Sequence, residues 1–181
     1  MPADSLTLAA AEQAKTVVIQ MMAERGRGVV LVGAARLDFA LEGLLKAVMG
    51  ETVEEGDQLF TPERSLGSFA AKITLAGRLG LIDSTVEKAL HTIRSVRNDF
   101  AHSAGAPTLQ EPRHQKRLLR VYSQARSNPL WLAIEPLLTQ QQAIPESERG
   151  FILLTTILVA TIEACAHLQQ PFRPAATVRF G

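Results

Sequence analysis

The sequence has a single cysteine, one tryptophan and one tyrosine among 181 residues, and its formal net charge is only +1. A lone cysteine, Cys165, excludes an intrachain disulfide and a cysteine-rich zinc site within this chain, and it fits a reducing compartment. The small net charge gives the molecule as a whole no attraction to nucleic acid or to a membrane surface. With 46% hydrophobic and 20% charged residues, the composition is that of an ordinary globular protein.

Long apolar runs are also missing. The most apolar run extends from Phe151 to Ile162, contains three threonines and is followed by Glu163. It is shorter than the ~20 apolar residues that a membrane-spanning helix needs, so we expect a buried helix and no membrane contact. The N-terminal residues lack the basic start and apolar run of a secretory signal. We therefore expect a cytoplasmic protein.

Several motifs with recognisable spacing do not occur. The sequence has no glycine-rich phosphate loop with its lysine and hydroxyl partners, no Gly-x-Ser-x-Gly and no His-Glu-x-x-His. The four histidines are scattered, and no pair has the spacing of metal ligands. The sequence thus implies no metal and no cofactor. It also contains no recognisable helix-turn-helix signature for reading a DNA groove.

Helical periodicity is what the sequence does contain. Apolar residues recur at helical spacing, glycines and prolines separate the periodic segments, and no alternating strand pattern of convincing length occurs. We predict an all-α protein, a single-domain irregular helical bundle of about six helices in residues 1–170, with a C-terminal tail at 171–181. The predicted helices are 5–25, 29–49, a third from 65 or 68 to 80, a fourth from about 84 into the cluster at 97–102, 113–125 and 148–169, with a short apolar segment at 129–138.

The fourth predicted helix carries an arginine in its apolar stripe. At about 100° per residue, Arg97 falls near the centre of that stripe. The apolar residues on this side are Val86, Leu90, Ile93 and Phe100. Because an unpaired buried charge is costly, Arg97 needs acceptors. Two solutions remain open: a structural ion pair with Asp38 or Glu42 of the second helix, or a phosphate in a cleft or dimer interface.

Two further sets of residues are candidates for function. His102 lies on nearly the opposite side of the fourth helix if that helix continues, so it joins Arg97 only if the helix ends before it. The second set shares one face of the fifth helix, with no acidic residue between its members: Arg113, Lys116, Arg117 and Arg120. This basic patch is either a solvated face or a contact for phosphate or nucleic acid.

The segment from Ser65 to Ser103 resembles two known groups. Arg97 is followed directly by Asn98, and His102 comes after four intervening residues at a helix end, which resembles the signature of the HEPN superfamily of helical nucleic-acid-associated domains. More closely, SLGSFAAKITLAGRLGLID followed by IRSVRNDFAH resembles the mannitol operon repressor family. Members of that family have a similar Gly-x-(Leu/Phe)…Lys-(Ile/Leu)…Gly-Leu-Ile helix pair before an Arg-to-His segment. The similarity covers Leu59 to Ala104.

The closer resemblance implies a non-enzymatic, all-helical transcriptional regulator that represses sugar-alcohol operons. It also implies a homodimer that contacts a protein partner instead of reading DNA directly. We adopt this as the first hypothesis. A small helical module that binds a protein partner without any regulatory role is a further possibility.

The HEPN resemblance implies an alternative, a metal-independent endoribonuclease acting on RNA. In that case Arg97 would hold the scissile phosphate, Asn98 would orient it, and His102 would move the proton of the 2′-hydroxyl. Two such sets would meet across a dimer to make the site. Asp99 opposes this hypothesis, because its carboxylate would compete for Arg97 and repel phosphate.

Overall fold

A computed structural model describes residues 3–50, 58–173 and 175. Within these residues the chain forms seven α-helices, one short 3-10 helix (Gln58–Phe60) and no strand, so the predicted all-α class is confirmed. The helices are α1 (Ala3–Met22), α2 (Arg27–Met49), α3 (Phe69–Arg78), α4 (Ser84–His102), α5 (Pro112–Ala125), α6 (Pro129–Thr139) and α7 (Glu146–Leu168). Much of the predicted loop after Gly50 and most of the predicted tail lie outside the described residues.

The helix beyond the predicted six is α6, which we expected to be only a short apolar segment. Asn128 begins it, because the side-chain oxygen of Asn128 accepts a hydrogen bond from the Leu130 backbone N–H at 2.8 Å. Pro129 occupies the first helical position, where a missing N–H costs nothing. Trp131 and Ile134 are among the residues that this helix buries.

The core is built around α7. Every residue from Phe151 to Ala160 is buried, and α1, α2, α5 and α6 all pack against this helix. By length and composition alone α7 is long and apolar enough to cross a membrane, and 67% of its apolar window is buried inside the fold. Such burial on all sides is what a helix that is apolar all round requires. The expectation of a buried helix here is confirmed.

A glycine allows the close approach of α1, α2 and α7. A Cβ atom at Gly33 would lie 3.0 Å from Phe151, 3.1 Å from Met21 and 3.2 Å from the Thr155 methyl group. These distances are shorter than the optimum of about 3.5–4.0 Å for carbon–carbon contacts. The three helices therefore pack as closely as they do only because residue 33 has no side chain.

Local capping determines the α3–α4 pair. The Ser68 hydroxyl accepts a hydrogen bond from the Ala71 backbone N–H at 3.1 Å, and this starts α3. Gly80, with a φ of 68°, turns the chain in the left-handed conformation that favours glycine. The Asp83 carboxylate accepts the backbone N–H groups of Thr85 and Val86, both at 2.8 Å. From there α4 continues to His102 and packs against α2, α3 and α5.

Candidate functional site

Arg97 and His102 point away from each other. Because α4 is continuous through His102, the two residues are separated by about 140° around the helix axis. Arg97 is half-buried, its Nη1 donates a hydrogen bond to Asn98 Oδ1 at 3.1 Å, and His102 is exposed. The predicted stripe is also displaced, since Val96 is fully buried while Arg97 lies at the edge of the buried face. Within one chain, α4 does not bring the arginine and the histidine together.

A lysine binds the two carboxylates that we expected beside Arg97. Lys72 of α3 is buried, and its Nζ lies 2.9 Å from Asp38 Oδ1 and 2.8 Å from Glu42 Oε2. Lys46 also contacts Glu42, at 2.8 Å. Burial would raise the pKa of Glu42, but hydrogen bonds from both lysines and their positive charges outweigh it and hold the pKa below its usual range. Of the two solutions left open for Arg97, an ion pair with Asp38 or Glu42 is not the one observed, because Lys72 of α3 supplies the cation.

Asp99, which we expected to compete for Arg97, binds an arginine of the basic patch instead. Arg117 Nη1 lies 2.7 Å from Asp99 Oδ2 and also donates to the Ser95 hydroxyl at 3.2 Å. The reason is the wheel position of Asp99, which together with Ser95 faces α5. This contact joins α4 to α5 and neutralises the carboxylate that follows Asn98.

The four residues of the basic patch are all exposed on α5 but are not equivalent. Arg117 is paired as described, and Arg113 Nε donates to Glu111 Oε2 at 2.8 Å. For Lys116 and Arg120 the described part of the chain offers no carboxylate within 4.0 Å. These two cations are therefore the ones in the patch whose charge no neighbouring acid offsets.

His114 lies fully buried beneath the patch, a position that the sequence analysis did not identify. Its ring packs against Phe100, with centroids 5.2 Å apart. Nδ1 is 3.8 Å from Asp99 Oδ2 and Nε2 is 3.7 Å from Glu111 Oε2, and neither nitrogen has a hydrogen-bond partner. Burial and the positive charge of Arg113 lower the pKa of His114, although the two carboxylates oppose this shift. The imidazole is therefore neutral at pH 7. No group of three His, Cys, Asp or Glu side chains that could hold a metal occurs in residues 3–50, 58–173 and 175.

A groove of about 740 Å³ opens between α5, α6 and the beginning of α7. Tyr122 and Trp131 line it with ring centroids 5.8 Å apart, and their polar atoms are buried without a hydrogen-bond partner. The groove is large enough for a small molecule. The charged side chains that line it comprise two cations and two anions: Arg126, Arg149, Glu135 and Glu146. Because the positive and negative charges are equal in number, the lining favours no class of ligand. No sequence motif indicated the groove, because its residues come from three helices.

Comparison with known proteins establishes the fold of this chain but not its function. No family model matches the sequence, and no curated protein matches it significantly. Among solved structures, the chain is similar to the X-ray structure of the MtlR–HPr complex from Escherichia coli. The superposition has a TM-score of 0.62 and 16% sequence identity, and it covers 84% of this chain and 99% of the other. The chain therefore has an MtlR-like helical fold.

Proposed function

We propose that this protein is a non-enzymatic transcriptional regulator that acts as a homodimer in the cytoplasm through a protein partner. The observation that carries the proposal is the similarity in fold to nearly the whole of a MtlR chain solved in complex with HPr. The resemblance of the segment before and including Arg97 to the mannitol operon repressor family points in the same direction. Regulation through a partner also agrees with the lack of a recognisable DNA-reading motif.

Two features of α4 support a role in binding over a role in catalysis. The acid–base residue His102 is directed about 140° away from Arg97, so one chain does not assemble the proposed catalytic pair. Asp99 and Arg117, at 2.7 Å, tie this part of α4 to α5. This contact is a structural use of the two side chains, and it leaves neither Asp99 nor Arg117 available for acid–base chemistry.

The first test is binding to HPr. Isothermal titration of the purified protein with HPr, from Escherichia coli and from the organism that encodes this chain, should yield a defined stoichiometry and a saturable complex. Light scattering coupled to gel filtration should give twice the chain mass before HPr is added. A monomer that binds neither HPr would overturn the proposal as stated.

The alternative, a ribonuclease of the HEPN type, retains one supporting observation. Arg97 has no carboxylate within 4.0 Å among the described residues, and His102 is exposed to solvent, as a site completed by a second chain would require. Incubation with mixed RNA in chelator distinguishes the two functions. We expect no cleavage. Products with 2′,3′-cyclic phosphate ends that disappear in both Arg97→Ala and His102→Ala would establish the nuclease instead.

We assign any contact with nucleic acid to Lys116 and Arg120 of the basic patch, whose charges no acid offsets. Replacing both with glutamate should abolish binding of single-stranded RNA at low salt. Replacing only one with glutamine should reduce the slope of log K against log salt by about 0.7. Arg113→Gln is the matched control, because Arg113 is already paired with Glu111 at 2.8 Å. Unchanged binding in the double variant would remove the patch from the function.

A further inference from the structure

Three arginines lie along one side of the second half of α4. Arg94 and Arg97 belong to this helix and are three residues apart, which places their side chains next to each other on its surface. The third, Arg27, comes from the beginning of α2, and its Nη2 donates to the carbonyl oxygen of Ala101 at 3.0 Å. Ala101 is one turn beyond Arg97, so the three side chains occupy about two turns of α4.

None of these three guanidinium groups has a carboxylate within 4.0 Å among the residues that the structure describes. Arg94 and Arg97 are half-buried. The Nε of Arg94 is buried and has no hydrogen-bond partner, and Arg97 donates only to the side chain of Asn98. Partly buried cations in close succession repel each other, and a buried donor without an acceptor is costly. Both observations indicate an anionic acceptor that belongs at this position.

The surrounding acids limit how large that anion is. Asp99, the nearest acid along α4, is turned to the other side of the helix and held by Arg117. Glu148 of α7 extends its carboxylate to the residue just before α2, where it accepts the backbone N–H of Gly26 at 3.1 Å. A long polyanion that extended past Arg27 would meet this carboxylate. A single phosphate group beside Arg94 and Arg97 would not.

We propose that Arg94, Arg97 and Arg27 form a binding site for one phosphate group, either inorganic phosphate or a phosphate monoester. Planar guanidinium groups bind phosphate oxygens in pairs, and phosphate supplies enough acceptors for several arginines at once. The side-chain oxygen of Asn98 accepts from Arg97 at 3.1 Å, which leaves its amide N–H groups as further donors to the anion. His102 takes no part in this site. The inference goes beyond the proposed function and does not depend on it.

The test is a titration of the purified protein with inorganic phosphate and, separately, with glycerol 3-phosphate, in chloride buffer. We expect saturable binding that Arg94→Gln weakens by about tenfold or more, as loss of a charge-assisted bidentate contact implies. Arg94→Lys retains the positive charge but loses the planar guanidinium group, so it should weaken phosphate binding by an intermediate amount. It serves as the test variant if Arg94→Gln does not fold. The tighter of the two ligands identifies the source of the phosphate.

Two control variants make the result specific. Arg113→Gln on α5 and His102→Ala on α4 should both bind phosphate as the wild type does. Absence of saturable binding of either ligand, or an equal loss in Arg113→Gln and Arg94→Gln, would overturn the inference. Binding to HPr without binding to phosphate would also overturn it, while leaving the proposed regulator intact.

Discussion

Replacing Lys72 with methionine should destabilise the protein by more than any other single charge removal on α2 or α3. The Lys72 side chain is only 5% exposed, whereas Asp38 and Glu42 are 28% and 20% exposed. Removing one partner of a fully buried ion pair costs about 3–5 kcal/mol. Partial access of the two carboxylates to water, with Lys46 still bound to Glu42, reduces the expected loss to about 2–3 kcal/mol.

Urea unfolding followed by circular dichroism measures this loss of free energy directly. In a chain of this length it corresponds to a fall in melting temperature of about 4–12 °C. Lys46→Met is the matched control, because Lys46 lies the same 2.8 Å from Glu42 but is 43% exposed. Its loss should stay below about 1 kcal/mol. Equal losses in the two variants would refute the reasoning that burial of Lys72 sets the magnitude.

The pH dependence of the same difference tests its electrostatic origin. Burial would raise the pKa of Glu42, but the two lysines lower it overall, so its contribution is present above the ordinary glutamate pKa and is lost as the pH falls through the lowered value. Burial would lower the pKa of Lys72, but the two carboxylates raise it overall, so its contribution is lost only as the pH rises through the raised value. The difference between wild type and Lys72→Met should therefore be largest from about pH 5 to 10 and shrink below pH 4. A constant difference down to pH 2 would contradict the ion pair.

Three further predictions concern stability. Gly33→Ala should lower the free energy of unfolding by about 1–3 kcal/mol through overpacking, whereas Gly43→Ala, whose Cβ would meet nothing within 4 Å, should not. Burial lowers the pKa of His114, so the unfolded state binds the proton more readily and stability falls below about pH 6.5. His114→Leu should flatten that fall in urea titrations from pH 7 to 5. Burial raises the pKa of Glu163, so stability declines as the pH rises through 4.5 and above, and Glu163→Gln should gain stability at pH 7 but not at pH 4.

The helices could be predicted because their signals are local. Asp83, Ser68 and Gly50 mark helix ends through their own side chains or backbone freedom, and the apolar run after Phe151 requires burial wherever it packs. The sequence analysis predicts only a short apolar segment at 129–138, although Asn128 and Pro129 are local signals that begin a helix. The end of a helix depends on residues within one turn of it, and these residues are neighbours in the sequence.

Contacts between helices could not be predicted in the same way. Lys72 lies in the buried stripe of α3, next to Ile73 and one turn before Ala76, so helical spacing alone predicts its burial. Even then its partners would have stayed open, because Asp38 and Glu42 become available to α3 or to α4 only once the packing of α2 is known. The burial of His114 could be predicted in the same way as that of Lys72, because its spacing from Leu118 places it on the buried face of α5.

The structure separates two residues that the sequence places together in the Arg97–His102 segment. In the sequence Asp99 opposes phosphate near Arg97. In the structure Arg117 neutralises Asp99 at 2.7 Å, so the environment of Arg97 is more favourable to an anion than its sequence neighbours indicate. In the sequence His102 favours proton transfer at this site, but the continuous helix turns it about 140° away from Arg97. Anion binding at Arg97 requires only that Asp99 be neutralised. Cleavage would require, in addition, that a second chain place a histidine beside Arg97. A protein that binds phosphate at Arg94 and Arg97 without cleaving RNA is therefore the outcome that the geometry of one chain favours.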